Sequence, residues 1–204
     1  MYIPKHFIEK DKTEIKKFIR ENGFATLITC HEPYPQATHI PIELIDKKGE
    51  EVLWGHIAKA NPQSKIFKNE PDVLVIFLSS VHHYISSSWY EKPNAPTWNY
   101  LSVHVYGKLK ILEGETLWQS LEQLTDKYEK ISKNPISVDG LPQSVKKQID
   151  GLVGFEISIK KIETAFKLSQ NRNPMDFSNI IEELKGLQNH NAKEMARLME
   201  NKLK

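Results

Sequence analysis

The stretch GHIAKANPQ, Gly55 to Gln63, leaves a strand and enters a helix. It holds His56, Lys59 and Asn61, with Pro62 after the asparagine. Free N–H groups at a helix start, with an ammonium beside them, make an anion site, and a phosphate group is its natural ligand. The plainer alternative is a strand-to-helix turn with a solvated Lys59.

Three more stretches invite chemistry. His39-Ile-Pro-Ile42 puts a proline in a strand, which leaves a ladder gap that a planar ring could use; a simple edge strand is the plainer reading. Lys167 to Arg172, KLSQNR, offers two cations and three hydrogen-bonding side chains. It suits an anion, a partner subunit or a polar turn. Ser86 to Tyr100, SSSWYEKPNAPTWNY, packs Trp89, Tyr90, Trp98 and Tyr100 among two prolines. Each such side chain must bury roughly 150–250 Å². A short loop cannot do that alone, so it folds over a flat ligand, packs on a second subunit, or caps its own barrel.

Other chemistry has little support. His39, His56, His82, His83 and His104 stand at no metal-ligand spacing, and a planar ligand such as haem would need one of the last three as axial ligand. No serine sits in a G-x-S-x-G turn, and no spaced carboxylate pair appears. Cys30 closes an apolar strand and reads as a small core residue. A lone cysteine allows no internal disulfide, which fits a reducing cytoplasm. No apolar run suits a signal peptide or a membrane span. With 28 Lys and Arg against 26 Asp and Glu, the net charge of +2 gives DNA binding no support.

The elements that must position these residues follow from periodicity. A helix is predicted over 11–21, with Asp11 as cap, and strands over 24–30, 36–45 and 51–57. His31 to Pro35 reads as a turn, and Asp46 to Gly49 as a hairpin turn. Pro41 places its strand at an edge or a bulge. Asn61 caps a short helix over 62–68. The apolar run 72–79 reads as a strand buried on both faces. A long strand over 100–112 contains Gly107, which marks a bulge or a close backbone approach. A helix covers 115–131, an irregular connection 132–151, and a long strand 152–168 with a bulge at Lys160-Lys161. A helical tail starts after the Asn173 cap and falters at 189–191. Strands cluster and helices stand outside them, so the class is mainly β: a closed antiparallel barrel with peripheral helices. No G-x-G-x-x-G or Walker motif argues otherwise.

Together, MYIPKHF (1–7), GHIAKANPQ, HYISSSWY (83–90), PTWNY and VHVYG (96–107) and KLSQNR resemble the PaiB family. Its members are described as FMN-binding negative transcriptional regulators, linked in bacilli to protease synthesis and sporulation. The likeness implies an FMN-binding split β-barrel of the antiparallel, Greek-key type over residues 1–172, with a C-terminal helical extension over 173–204. It implies a cytoplasmic homodimer with the flavin, or a related planar phosphorylated ligand, at the interface. The implied cofactor-binding set is His39, Ile40, His56, Lys59, Asn61, Gln63, Trp89, Trp98, Asn99 and Arg172. Within it, His56, Lys59 and Asn61 face the phosphate, and the strand at His39–Ile42 edges the ring. Trp89, Tyr90, Trp98 and Tyr100 wall the cleft. The family pattern GPHxYISPSWY reads here with Ser80, Val81 and Ser87 in place of its glycine and two prolines, and Lys59 stands where arginine is commoner. The expected function is regulation, with no catalytic residues assigned. Lys193, Arg197, Lys202 and Lys204 are the candidate DNA contacts. The alternative is a flavin-dependent oxidoreductase of the pyridoxamine phosphate oxidase or flavin reductase type.

Overall fold

The computed structural model describes residues 1–30 and 33–202. The turn expected at 31–35 therefore lies partly outside the described residues, as does Lys204. In chain order the elements are α1 (Lys12–Glu21), β1 (Phe24–Thr29), β2 (Gln36–Lys47), β3 (Glu50–Ala58), a 3-10 helix (Pro62–Asn69), β4 (Asp72–Leu78) and β5 (His83–Ile85). Then come β6 (Thr97–Leu112), α2 (Gly114–Glu129), α3 (Gln143–Lys146), β7 (Leu152–Lys167), α4 (Pro174–Gly186) and α5 (His190–Asn201). The strand order is β4-β1-β2-β3-β7-β6, and pairing of β6 with β4 closes the ring; β5 adds to the outside of β6. This is the closed antiparallel barrel with helices that the pattern predicts.

Two compact units divide the chain. One comprises Ile19–Ile76 and Val105–Ile162; the other comprises Met1–Phe18, Phe77–His104 and Glu163–Lys204. The division interleaves along the chain.

In the first unit Leu27, Ile42, Leu53, Phe67, Val75, Leu109, Phe155 and Ile157 have no exposed surface. Burying each stabilises the fold by roughly 1.5–3 kcal/mol, more than the net ~1 kcal/mol of an ordinary hydrogen bond. Phe155 meets Phe67 edge-on at 5.4 Å. That contact needs Gly55: a Cβ there would stand 2.6 Å from the Phe155 ring. The outer face of β3 forms a smaller cluster, in which Val52 and Trp54 pack with Leu112 and Leu117.

Two strand expectations need correction. β2 is not an edge strand: it lies between β1 and β3. Its residues pair with β1 from Gln36 to Pro41 and with β3 from Ile42 to Lys47. Pro41 sits where the strand hands over from one neighbour to the other, and a missing N–H is tolerated at such a junction. The next amide, Ile42 N–H, donates to Gly23 O at 2.8 Å. β4 is not buried on both faces either. Val73, Val75 and Phe77 are buried, while Leu78 is 53% exposed, because a barrel strand has an inside and an outside.

Gly107 marks a close approach. A Cβ there would lie 2.4 Å from Ser158 O. The hairpin turn closes as expected, with Lys48 and Gly49 in the left-handed region and the Gly49 N–H donating to Asp46 Oδ1 at 2.7 Å.

In the second unit α4 and α5 are packed together through Ile180, Ile181 and Leu184 on one helix and Ala192, Met195, Ala196 and Met199 on the other. Asn173 and Asn189 cap these helices by accepting from the Asp176 and Ala192 N–H groups. The tail thus becomes two helices because a second capping asparagine interrupts it. β5, which periodicity missed, is three residues long. Ile162 on β7 is 39% exposed beside exposed Lys160 and Lys161. Cys30, expected in the core, is exposed because β1 ends one residue before it.

Candidate functional site

In the first unit, β3 ends at Ala58 and the chain turns into the Pro62–Asn69 helix. Asn61 caps it, its Oδ1 accepting from Gln63 N–H at 3.0 Å. The Lys59 N–H donates to Gly151 O at 2.8 Å, and the Lys59 carbonyl accepts from Ser64 Oγ at 3.1 Å. This fixes the Lys59 backbone while its side chain stays exposed, with Nζ on the carbonyl of Asp150. The ammonium is therefore held at the rim of the turn, in water.

The other two polar residues of this turn serve the fold. Asn61 Nδ2 donates to Thr38 Oγ1 at 3.0 Å, and Thr38 passes a hydrogen bond to Gln63 Oε1 at 2.7 Å. Gln63, only 1% exposed, donates from Nε2 to Thr29 Oγ1 at 3.1 Å and Gln36 O at 3.2 Å. It ties β1, β2 and the helix together, so its amide is consumed inside the barrel. On β2, His39 is exposed, with Nδ1 2.8 Å from Thr26 Oγ1 across the ladder, and Ile40 is half-buried.

His56 stands apart from this group. Alternation along β3 puts it on the same face as Trp54, under α2. There it lines a void of about 10 Å³ with Glu43, Trp54 and Ser120. Burial pushes its imidazole below the usual histidine range, so it is neutral at neutral pH. Among the described residues it makes no hydrogen bond to Lys59 or Asn61. The sequence groups the three residues, and strand pleating separates them.

In the second unit the aromatic loop divides by role. The Trp89 ring stacks on His83 at 6.2 Å. Tyr90, expected in the cleft wall, is instead buried: the Arg172 guanidinium lies 4.6 Å over its ring and Nη2 donates to its hydroxyl at 3.2 Å. The next residue is tethered as well, Glu91 N–H donating to Asp176 Oδ1 at 2.8 Å. Trp98 is 53% exposed and packs against Tyr84 and His82, both at 5.9 Å between ring centres. These rings make a solvent-facing aromatic patch on the β5–β6 ladder. Tyr84 carries no signal in periodicity alone; only the register Tyr84↔Trp98 reveals it.

Asn99 is fully buried. Its amide donates to Ser169 Oγ at 3.0 Å and accepts from it at 3.1 Å. KLSQNR proves to be largely a turn: Ser169 adopts a left-handed backbone, and Gln170 accepts from Leu168 N–H and donates to Phe166 O. Lys167 and Arg172 are the groups left over. Burial, and then the charge of Arg172, hold the Lys167 ammonium below its usual range.

Just past α5, Lys202 pairs with Glu9, while Lys193 and Arg197 on the helix remain exposed. Arg197 lies 3.9 Å from Glu194. The basic face is smaller than the sequence suggests. Among the described residues no cluster of three His, Cys, Asp or Glu side chains gathers as for a metal, and no helix is long and apolar enough to cross a membrane.

A six-strand antiparallel ring with helices outside it is the split barrel of flavin-binding proteins. The chain belongs to the PaiB family, and its residues 1–161 match the family profile described as "Putative FMN-binding domain". It is similar to "Protease synthase and sporulation protein PAI 2" of Bacillus subtilis, with 46% identity over 205 residues covering 100% of this chain and 99% of that one. Among solved structures, an FAD and heme binding protein from Mycobacterium smegmatis superposes with a TM-score of 0.62 at 14% identity, covering 79% of this chain and 73% of that one. The flavocytochrome Anf3 from Azotobacter vinelandii superposes with a TM-score of 0.58 at 14% identity, covering 87% and 78%. These two likenesses are of fold.

Proposed function

We propose that this chain is a PaiB-type negative regulator of transcription that binds FMN and works as a homodimer. The observation that carries the reading is the end-to-end 46% identity to PAI 2 on a flavin-type split barrel. The residues present fit the cofactor in part. Lys59 offers a solvent-facing cation for the phosphate, and exposed His39 with half-buried Ile40, on the part of β2 that pairs with β1 and precedes the β3 register, offers a surface to the ring. Trp89 and Trp98 offer flat surfaces. Gln63 and Asn99 are internal struts and His56 lies under α2, so these three are left out of the proposed contacts. Bound FMN would supply redox chemistry and a charged phosphate; the chain supplies the cation and the walls.

The exposed patch of Trp98 and Tyr84 supports the dimer, since large apolar side chains grouped in water mark an interface. The test combines three measurements on the purified protein: its absorption spectrum with added FMN, its mass in solution, and a mobility shift with upstream DNA at low salt. Flavin uptake, a doubled mass and a salt-sensitive shift are expected. A protein that takes up no FMN and shifts no DNA overturns the reading. Turnover of a nicotinamide with bleaching of the flavin would move it to the oxidoreductases.

A further inference from the structure

The second unit contains a cavity of about 520 Å³ beside α4. Pro174, Phe177 and Ile181 give it an apolar side, and Arg172 and Lys202 bring cations to it. Glu182 and Glu200 also line it, but both are engaged by Lys185, at 3.1 and 2.7 Å. Lys202 is likewise engaged, by Glu9. Arg172 differs. Among the described residues no carboxylate pairs with it, and its Nε is buried with no hydrogen-bond partner. Nη2 donates to the Tyr90 hydroxyl.

A guanidinium presents five donors in a plane and is matched by a carboxylate in a fork. A buried N–H without a partner costs about 1–3 kcal/mol, so an arginine held in this way by its fold is poised for an acceptor. The neighbouring Lys167 ammonium adds positive charge, and among the described residues no carboxylate pairs with it; it rests on Thr97 Oγ1 and over the Phe7 ring. A guanidinium beside an apolar wall, with a second cation behind it, selects a ligand with one anionic head and a hydrocarbon body. The volume suits a small molecule rather than a macromolecule.

We propose that this cavity is a second ligand site, which takes small amphipathic carboxylic acids with the carboxylate on Arg172 and the apolar body against Phe177 and Ile181. Arg172, expected among the flavin contacts, is then the head-group donor of a separate pocket. The site lies beyond the family-matched residues 1–161, in the part of the chain that builds the helical pair.

The test titrates the full chain with benzoate and with hexanoate by calorimetry, with hexylamine and inorganic phosphate as controls. Saturable one-to-one binding of the acids, and none of the amine, is expected. Arg172→Gln should weaken binding by about ten-fold or more, as loss of a charged hydrogen-bonding partner does. Ser178→Trp, on the exposed side of α4 and lining the cavity, should block binding while leaving the melting temperature unchanged. If Arg172→Gln unfolds, the Trp variant decides alone. Absence of saturable binding of either acid, or affinity unchanged in Ser178→Trp, overturns the proposal. Phosphate binding as tightly as the acids also overturns it, because the apolar wall would then be idle. Lys59→Gln should leave acid binding intact, which separates this site from the proposed flavin site.

Discussion

The Trp54 indole N–H donates to Glu156 Oε2 at 2.9 Å, and the same carboxylate group accepts from Lys47 at 3.0 Å and pairs with Lys110 at 2.8 Å. One 3%-exposed carboxylate thus closes three strands, β3, β7 and β6, with the turn end of β2. Burial alone would raise its pKa, but the hydrogen bonds from Lys110, Trp54 and Lys47 win and hold it down at about 2.

This fixes the acid limb of stability. The folded carboxylate titrates near 2 and the unfolded one near 4.5. Its contribution is complete above the unfolded value and disappears as pH falls from there through the folded value. It should be of the order of 2 kcal/mol, discounted because both lysines are half in water. Glu156→Gln should lose that amount at neutral pH and flatten the slope of stability between about pH 4.5 and 2, as read by urea unfolding across pH.

His56 gives a second, weaker slope nearer neutrality. Its folded pKa lies below 6.5 because it is buried, so the unfolded chain binds the proton first. Stability should be full above 6.5 and decline as pH falls through the folded value. His56→Gln should remove that slope. An unchanged profile would mean the imidazole is not the titrating group.

Gln63 is the strut whose loss should cost most among the polar groups of the first unit. Gln63→Leu leaves Thr38, Thr29 and the Gln36 carbonyl without it. A cost of about 3 kcal/mol is expected, hence a melting point lower by roughly 10 °C. Lys65→Gln, on the exposed side of the same helix, should change stability by less than about 0.5 kcal/mol.

Gly107→Ala should be far more damaging than Gly186→Ala. The first forces a Cβ against the Ser158 backbone, while the second meets nothing within 4 Å. A loss of at least about 2 kcal/mol is expected at 107 and less than about 1 kcal/mol at 186, by thermal melting of both variants.

The barrel was legible because its strands alternate and its punctuation is chemical. Asp11, Asn61 and Asn173 mark helix starts, and Gly107 marks a close approach. Pro41 was legible as an interruption and not as a junction, because the switch of partners depends on strands distant in sequence. The candidate site was legible as residue types and not as geometry. His56 and Lys59 are three residues apart, yet pleating sends the imidazole under α2. Gln63, Asn99 and Tyr90 look like ligand contacts in one dimension; in three they are buried and already partnered. The Arg172 cavity needed α4 in place before its apolar side existed.

Tyr90 and Glu91 are consecutive, and their two anchors, Arg172 and Asp176, lie four residues apart around a single bend of the chain. The loop with the tryptophans is therefore moored by adjacent links to the entrance of α4. A guest drawing on Arg172 would tug the first mooring while the second held. Occupancy beside the helix would then be felt as a tilt of the indole-bearing segment.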